Sequence, residues 1–287
     1  MILCLFPYSS KSQVTNHLEC DIIFPVIKFE GEYVEKNTFD IVIVNGRPAA
    51  GKSEVIDFLK SVPLAERIEK FHIGKFEEID DFPILWERFE DDDLMEDMGF
   101  PRLISDNKFK YKGEELPGYT FKEQWFWNFL IKKLVLAYEK KLRDNPNYHD
   151  GKTLLMEFSR GSQHGGFSEA YNYLSDDILS KAATLYISVT WEESLRKNRR
   201  RYNPDRPDSW LEHALEDKKL EMMYKESDWE DFTGNDPNFL HVKDFSVPYG
   251  VFENMPEKTD DPEKIRPHLE EVMAHLWENW KRSRQNV

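Results

Sequence analysis

The sequence predicts an α/β fold, a three-layer sandwich in which a mainly parallel sheet lies between helices. Three observations carry this expectation. Across residues 40–287, short apolar runs alternate with segments of helical periodicity, the pattern of strand–helix units that build a parallel sheet. Ile41, Val42, Ile43 and Val44 form an unbroken, mostly β-branched run, as a strand covered on both faces requires. With 287 residues and 40% apolar content, the chain is long enough to bury a large core as one large or two small domains.

The first strand–helix unit holds the strongest signal. Residues 46–53 read GRPAAGKS (Gly46, Arg47, Pro48, Ala49, Ala50, Gly51, Lys52, Ser53), fitting the phosphate-loop pattern G-x-x-x-x-G-K-[ST] without a mismatch. Gly46 permits a sharp turn and Gly51 a close backbone approach to a phosphate. The loop N–H groups and the following helix N-terminus make an anion site. In such a loop Lys52 reaches the β- and γ-phosphates and the Ser53 hydroxyl meets Mg²⁺, with Glu54 beginning the helix beside them. Val55, Ile56 and Leu59 follow at helical spacing.

The remaining elements are taken in order. Residues 1–39 read as an N-terminal β-hairpin extension: a strand at 22–29, a turn at Glu30-Gly31 and a return strand at 33–39, with Pro25 marking an edge. Pro63 ends the first helical pattern and 67–74 (RIEKFHIG) reads as a second strand, with His72 a structural or surface histidine. Residues 76–119 read as an insertion, acidic first and then loop-rich and basic. Within it Asp91, Asp92 and Asp93 read as a solvated negative face, and Arg102, Lys108, Lys110 and Lys112 as surface or substrate contacts. Thr120 and Glu123 form a capping box opening a long helix whose stripe is Trp125, Phe129, Leu130, Leu134 and Tyr138. A strand at 153–158, a helix at 168–182 and a strand at 183–189 follow. Thr190 and Glu193 cap the next helix, which runs into an arginine-rich segment, and Asn203-Pro204 ends it. A helix at 210–224 and a strand at 239–245 come next, and the VPYGVF loop after that strand could flank a purine base. The last helix opens with Asp261 as cap and Pro262 at its first position, and buries Ile265, Leu269, Val272, Leu276 and Trp280.

Candidate chemistry follows from strand ends, because ligands of open α/β sheets bind beyond the carboxyl ends of strands. Asp80 and Asp81 follow a predicted strand and precede the apolar FPILW segment. A carboxylate there can take a proton from a substrate hydroxyl or hold metal-bound water. Glu157 ends another strand, where it can order Mg²⁺ or serve as the base, and Arg160 can meet an anion. Arg196, Arg199, Arg200, Arg201 and Arg206 cluster in a chain of net charge −15; triphosphate is their expected partner, and neighbouring acids such as Glu192 and Glu193 are the alternative.

The same charge argues against a nucleic-acid backbone as main partner. Cys4 and Cys20 lack metal spacing and are expected to be free thiols. MILCLFPYSS lacks a signal-peptide layout and no run of about 18 apolar residues occurs, so a cytoplasmic protein without membrane partners is expected. A homodimer stays open.

The loop version with Gly46, Pro48, Ala49, Gly51, Lys52 and Ser53 is similar to that of the P-loop kinases, the nucleoside, nucleotide and small-metabolite kinases. The arginine-rich segment at 196–210 resembles their lid, and Glu157-Phe158-Ser159-Arg160 resembles the acidic-arginine stretch of nucleoside kinases, with the acid and arginine spaced more widely. The resemblance implies a P-loop NTPase domain over 40–287 that transfers the γ-phosphate of ATP to a small acceptor. It implies Lys52, Asp80, Glu157 and Arg199 in catalysis. Residues 46–54 with Arg196 and Arg200 would lie on ATP, and Ser53 and Glu157 on Mg²⁺. A regulatory P-loop ATPase or nucleotide-binding module is the alternative. A GTPase is disfavoured, because no N-K-x-D motif occurs and Val242-Lys243-Asp244 is only a partial echo.

Overall fold

A computed structural model describes residues 36–201, 215–234 and 236–285. The chain divides after Lys36, and the architecture below belongs to Asn37–Val287. The proposed strand at 22–29 and both cysteines lie outside the described residues, and 36–39, the described end of the expected return strand, is not strand.

Among the described residues, six strands form the main sheet: β1 (Ile41–Gly46), β2 (Lys75–Asp80), β5 (Lys152–Phe158), β6 (Ala182–Ser188), β7 (Phe239–Val242) and β8 (Phe245–Glu253), in the order β2-β5-β1-β6-β8-β7. Every pairing is parallel except β7 with β8. The fold is therefore α/β with a mostly parallel mixed sheet, and helices cover both faces.

The two faces follow from the two-residue period of a strand. Ile41 and Ile43 of β1 point into one core and Val42 and Val44 into the other, all at most 2% exposed. Each such side chain contributes roughly 1.5–3 kcal/mol when fully buried. Val42 and Val44 meet α1 (Lys52–Ser61), α2 (Leu64–Phe71) and α10 (Pro262–Gln285). Ile41 and Ile43 meet α4 (Phe126–Asp144), α5 (Gly166–Asn172), α6 (Asp176–Lys181) and α9 (Trp229–Thr233). The stripe expected for the last helix is on the core side of α10, where Ile265, Leu269, Leu276 and Trp280 are buried.

A third apolar cluster lies apart from the sheet faces. It joins α3 (Asp81–Asp97), a separate hairpin of β3 (Ser105–Tyr111) and β4 (Glu114–Phe121), the start of α4, and α8 (Asp217–Tyr224), through Phe89, Phe121, Trp127, Leu130, Leu220, Met223 and Tyr224. Gly161 lets α8 come close to the loop after β5: a Cβ there would stand 1.8 Å from the Met223 carbonyl oxygen.

Several local expectations are corrected. Residues 64–71 are helix, not strand: Leu, Ala, Glu, Arg and Lys are strong helix formers, and Pro63 starts α2 rather than merely ending α1. Arg67, buried in α2, donates to the carbonyls of Leu59 and Gly74 at 2.9 and 3.2 Å and so fixes the α1–α2 corner. His72 ends α2 in the left-handed region and stacks on Trp277, 4.3 Å between centroids. The stretch 100–119 is largely a hairpin turning at Lys112 and Gly113, both left-handed, and Thr120 pairs with Asp106 in it rather than capping a helix. Consequently α4 begins only at Phe126, and Trp125 is exposed. Asp92 is not a solvated acid; it is fully buried and accepts from the backbone N–H groups of Leu103, Ile104 and Ser105. The helix expected over 168–182 breaks into α5 and α6, with Ser175 capping the latter. VPYGVF is strand β8, paired to β6 and β7, because its alternate residues Val247, Tyr249 and Phe252 feed the two cores.

Candidate functional site at the carboxyl edge of the sheet

Five strands run parallel, so Gly46, Asp80, Phe158, Ser188 and Glu253 reach the same edge. At that edge β1 lies between β5 and β6. The chain leaves β1 toward β2 on one side, while β6 and β8 extend the sheet on the other. Diverging connections at such a switch point leave a crevice.

Residues 46–51 form a tight loop entering α1. Gly46, Ala49 and Gly51 have φ of 155°, 57° and 111°. Gly51 is needed twice over, since a Cβ would sit 2.8 Å from the Thr259 side chain. The loop is fastened from beneath. Ser194 of α7 (Trp191–Arg201) donates to the Pro48 carbonyl at 2.8 Å, and Asn254, fully buried just after β8, donates to the Ala50 carbonyl at 2.8 Å. The Ala50 N–H bonds the Arg47 carbonyl, and the Arg47 guanidinium reaches the carbonyls of Tyr224 and Lys225, the latter at 2.8 Å.

Lys52 opens α1, and its ammonium is central to the site. It donates to Ser159 Oγ at 2.8 Å and to the Arg47 carbonyl at 3.2 Å, and stands 3.6 Å from Glu157 Oε1. Ser53 lies in the same first turn. Across the strands, Asp80 of β2 is the direct neighbour of Glu157 of β5. Asp80 caps α3, accepting from the Phe82 N–H at 3.0 Å. Asp81, buried, is paired at 2.5 Å with Arg160, which also donates to the carbonyls of Ser159 and Trp127 at 2.6 and 2.9 Å.

The electrostatics are lopsided. Three carboxylates, Asp80, Asp81 and Glu157, face two cations, Lys52 and Arg160. Burial pushes the Asp80 carboxyl up to about 8, and the charges of Glu157 and Asp81 push it the same way. Burial also raises Asp81 and Glu157, against Arg160 for the first and Lys52 for the second. The imbalance is met by a proton held on Asp80 below about pH 8, and a cation arriving there would take that proton's place. Among the described residues no three His, Cys, Asp or Glu side chains form a metal-holding group, so any metal would rest on Ser53 and the Asp80–Glu157 pair with other oxygens supplied from outside the protein.

The expected arginines are placed differently. Arg196 is paired with Glu193 and Glu257 at 2.6 Å each, Arg199 with Asp217 at 2.6 Å and Arg200 with Glu257 at 2.8 Å; all three are largely exposed. The neighbouring acid Glu193 thus holds Arg196, as the surface alternative for this segment supposes. Arg201 stands 4.0 Å from Glu54, in the first turn of α1, and so comes nearer the loop. Arg102 is paired with Asp93 and Glu96 in the α3–hairpin module. Arg206 and 202–210 of the expected lid lie outside the described residues.

Sequence reasoning missed several residues here. Lys197, buried on α7, donates to Thr259 Oγ1 at 2.8 Å and pairs with Glu257 at 3.2 Å; Asn254 also donates to Thr259 Oγ1, at 3.0 Å. Asn254 lies more than 200 residues from Ala50 and carries no motif, so only the pairing of β8 beside β6 reveals it. His164 is missed likewise. It packs on Trp127, 4.2 Å between centroids, beside Arg160, and burial followed by the Arg160 charge pushes it down to about 4, leaving it neutral near pH 7.

No protein-family model matches this chain. No curated protein matches it. A solved structure described as "Crystal structure of APE1195" aligns with 83% of this chain and 98% of its own at 14% identity, with a TM-score of 0.34, and at that score it carries no argument about fold or function.

Proposed function

We propose that this protein is an ATP-dependent phosphotransferase moving the γ-phosphate of ATP to a small-molecule acceptor. The observation that carries the reading is the position of Lys52. Its ammonium is held at the carboxyl edge of the sheet, at the mouth of the 46–51 loop and beside Glu157, with Asp80 on the adjacent strand. In this reading residues 46–51 act as a phosphate loop, and Lys52 and the loop N–H groups hold the phosphates. Ser53 and Glu157 would hold Mg²⁺; the cluster of Asp80, Asp81 and Glu157, which otherwise keeps a proton on Asp80, could take a divalent cation in that proton's place. Mg²⁺, when bound, supplies charge neutralisation on the phosphates. Asp80, once ionised, orients the acceptor hydroxyl and accepts its proton. Arg201 is the arginine best placed to approach the phosphates, while Arg196, Arg199 and Arg200 would first leave their carboxylates.

The test is ATP consumption with a panel of nucleosides, nucleoside monophosphates and hydroxylated metabolites, using Lys52→Ala as control. Acceptor-dependent ADP formation, lost in the variant, is the expected result. Turnover unaffected by Lys52→Ala would sink the reading, and ATP hydrolysis indifferent to every acceptor would replace it with a regulatory ATPase.

A further inference from the structure

A second feature lies in the α3–hairpin module. α3 carries Trp86, Phe89, Glu90 and Asp93 at spacings of three and four residues, which puts them on one helix face. Tyr119 of β4 stands opposite, and these five side chains line an open groove of about 240 Å³. The Phe89 and Tyr119 rings stack with centroids 5.0 Å apart at 15°. Trp86 is steeply inclined to both, at 70° and 81°, with its centroid 6.3 and 5.8 Å away. The result is a corner of aromatic surface with carboxylates along its helix side.

Aromatic faces are negative and attract cations. The molecule already uses this property: the Arg102 guanidinium lies 5.5 Å from the Tyr119 ring centre and pairs with Asp93 at 2.5 Å. Asp93 also accepts from the Tyr119 hydroxyl at 2.5 Å, so its charge is committed. Glu90 differs. It is exposed at the groove, and among the described residues its carboxylate has no hydrogen bond and no ion pair. Lys219, behind the rings, does not supply one. It is buried, donates to the Tyr119 carbonyl and lies 5.9 Å from the Phe89 ring centre, and burial pushes its amine down to about 8. Burial first, then the Asp93 hydrogen bond and the charges of Asp93 and Glu90, push the Tyr119 hydroxyl up to about 12, so it stays a neutral donor.

We propose that this groove binds an alkylammonium cation, its methyl or methylene groups against Trp86 and the Phe89–Tyr119 stack and its charge facing Glu90. The chemistry selects that class. A metal ion would find one uncommitted carboxylate and ring walls whose phenolic oxygen, that of Tyr119, is already bonded to Asp93. An anion would meet Glu90. An alkylammonium ion is only weakly hydrated and loses little by leaving water for ring faces. The site is separate from the phosphotransfer chemistry, and binding to it is measured without turnover.

The experiment is calorimetric titration of the full chain with tetramethylammonium chloride at low ionic strength, against sodium chloride at the same ionic strength. Saturable binding is expected for tetramethylammonium and not for sodium. Glu90→Gln, at an exposed position that does not threaten folding, is expected to weaken it about three- to tenfold. Trp86→Leu, checked for native circular dichroism, is expected to weaken it about tenfold or more. Absence of saturable binding would overturn the proposal, as would binding that Glu90→Gln leaves unchanged. Should Trp86→Leu not fold, the Glu90 variant and the loss of affinity with added salt decide the matter.

Discussion

The ammonium of Lys52 donates to the hydroxyl of Ser159 across 2.8 Å, which ties the first residue of α1 to the residue that follows β5. Beside the Arg47 carbonyl, two further contacts position the amine, and they differ in kind. Ser159 offers one neutral hydrogen bond, worth about 1 kcal/mol net. Glu157 offers a charge at 3.6 Å. If the proposed phosphoryl transfer is the activity, Ser159→Ala is therefore expected to reduce its kcat/KM by less than about tenfold, the Glu157 contact remaining. Lys52→Ala is expected to abolish transfer, by at least about 100-fold, with a native circular dichroism spectrum. Steady-state kinetics on both variants checks the contrast, and an equal loss in the two would give Ser159 a chemical role of its own.

Arg160 and Asp81 are a buried pair, their side chains 1% and 9% exposed. Removing one partner strands the other's charge. Arg160→Met is expected to cost about 3–5 kcal/mol in urea unfolding. The double variant Arg160→Met with Asp81→Leu is expected to be more stable than Arg160→Met alone, because no buried charge is left unpaired. A double variant as unstable as the sum of the singles would show that the pair does not act as a unit.

Asp80 sets a pH dependence whose sign is fixed. Its carboxyl moves from an ordinary 3.8 to about 8 in the folded chain. Between those values the native state holds a proton that the unfolded chain has released, so stability falls as pH rises and is lost through about pH 8. Asp80→Asn is expected to flatten that slope, melting several degrees above the wild type at pH 8 and equally at pH 4. Melting curves across this range decide. If Asp80 is the base, kcat/KM also rises through an apparent value near 8, which belongs to the carboxylate cluster as a whole.

Glu257 gathers Arg196, Lys197 and Arg200 at 2.6, 3.2 and 2.8 Å. Burial works against its ionisation, yet hydrogen bonds from Lys197, Arg196 and Arg200 hold the carboxyl down at about 2. Glu257→Gln releases Arg200 and leaves Arg196 held by Glu193 alone. It is expected to tighten ATP binding about two- to fivefold at low salt, with the gain vanishing at high salt. Equilibrium binding at two ionic strengths checks this, and weaker binding at low salt would show that Glu257 organises the segment rather than restraining it.

The central strand, its loop and the helix after it were legible because each obeys a local rule: a β-branched run, glycines where the chain turns, then helical spacing from Val55. The strand that Asp80 ends, β2, was not foreseen, the expected strand being 67–74, but Glu157 near a strand end and Asp80 beyond one were legible. Their adjacency was not, since it depends on β5 inserting between β2 and β1. The hairpin at 105–121 was obscured by its charge, which reads as loop when only one face of each strand is apolar. Residues 67–74 were misread because Ile68, Phe71 and Ile73 make a short apolar run there, and the helix period shows only when the window starts at Leu64, with Leu64, Ile68 and Phe71 at i, i+4 and i+7. Arg196, Arg199 and Arg200 illustrate a different gap. Sequence shows a basic cluster but not Asp217 and Glu257, the acids that face it.

Among the described residues the sheet ends on β2 at one side and β7 at the other. β2 reads KFEEID and carries Lys75, Glu77 and Glu78 along its length, and β7 is only four residues long. A charged margin and a short one are both poor templates for an incoming strand from another molecule. This sheet therefore resists growth by edge-to-edge stacking, the route by which exposed strands seed fibrils, and close contact between two copies of this unit would fall to its helical and hairpin surfaces.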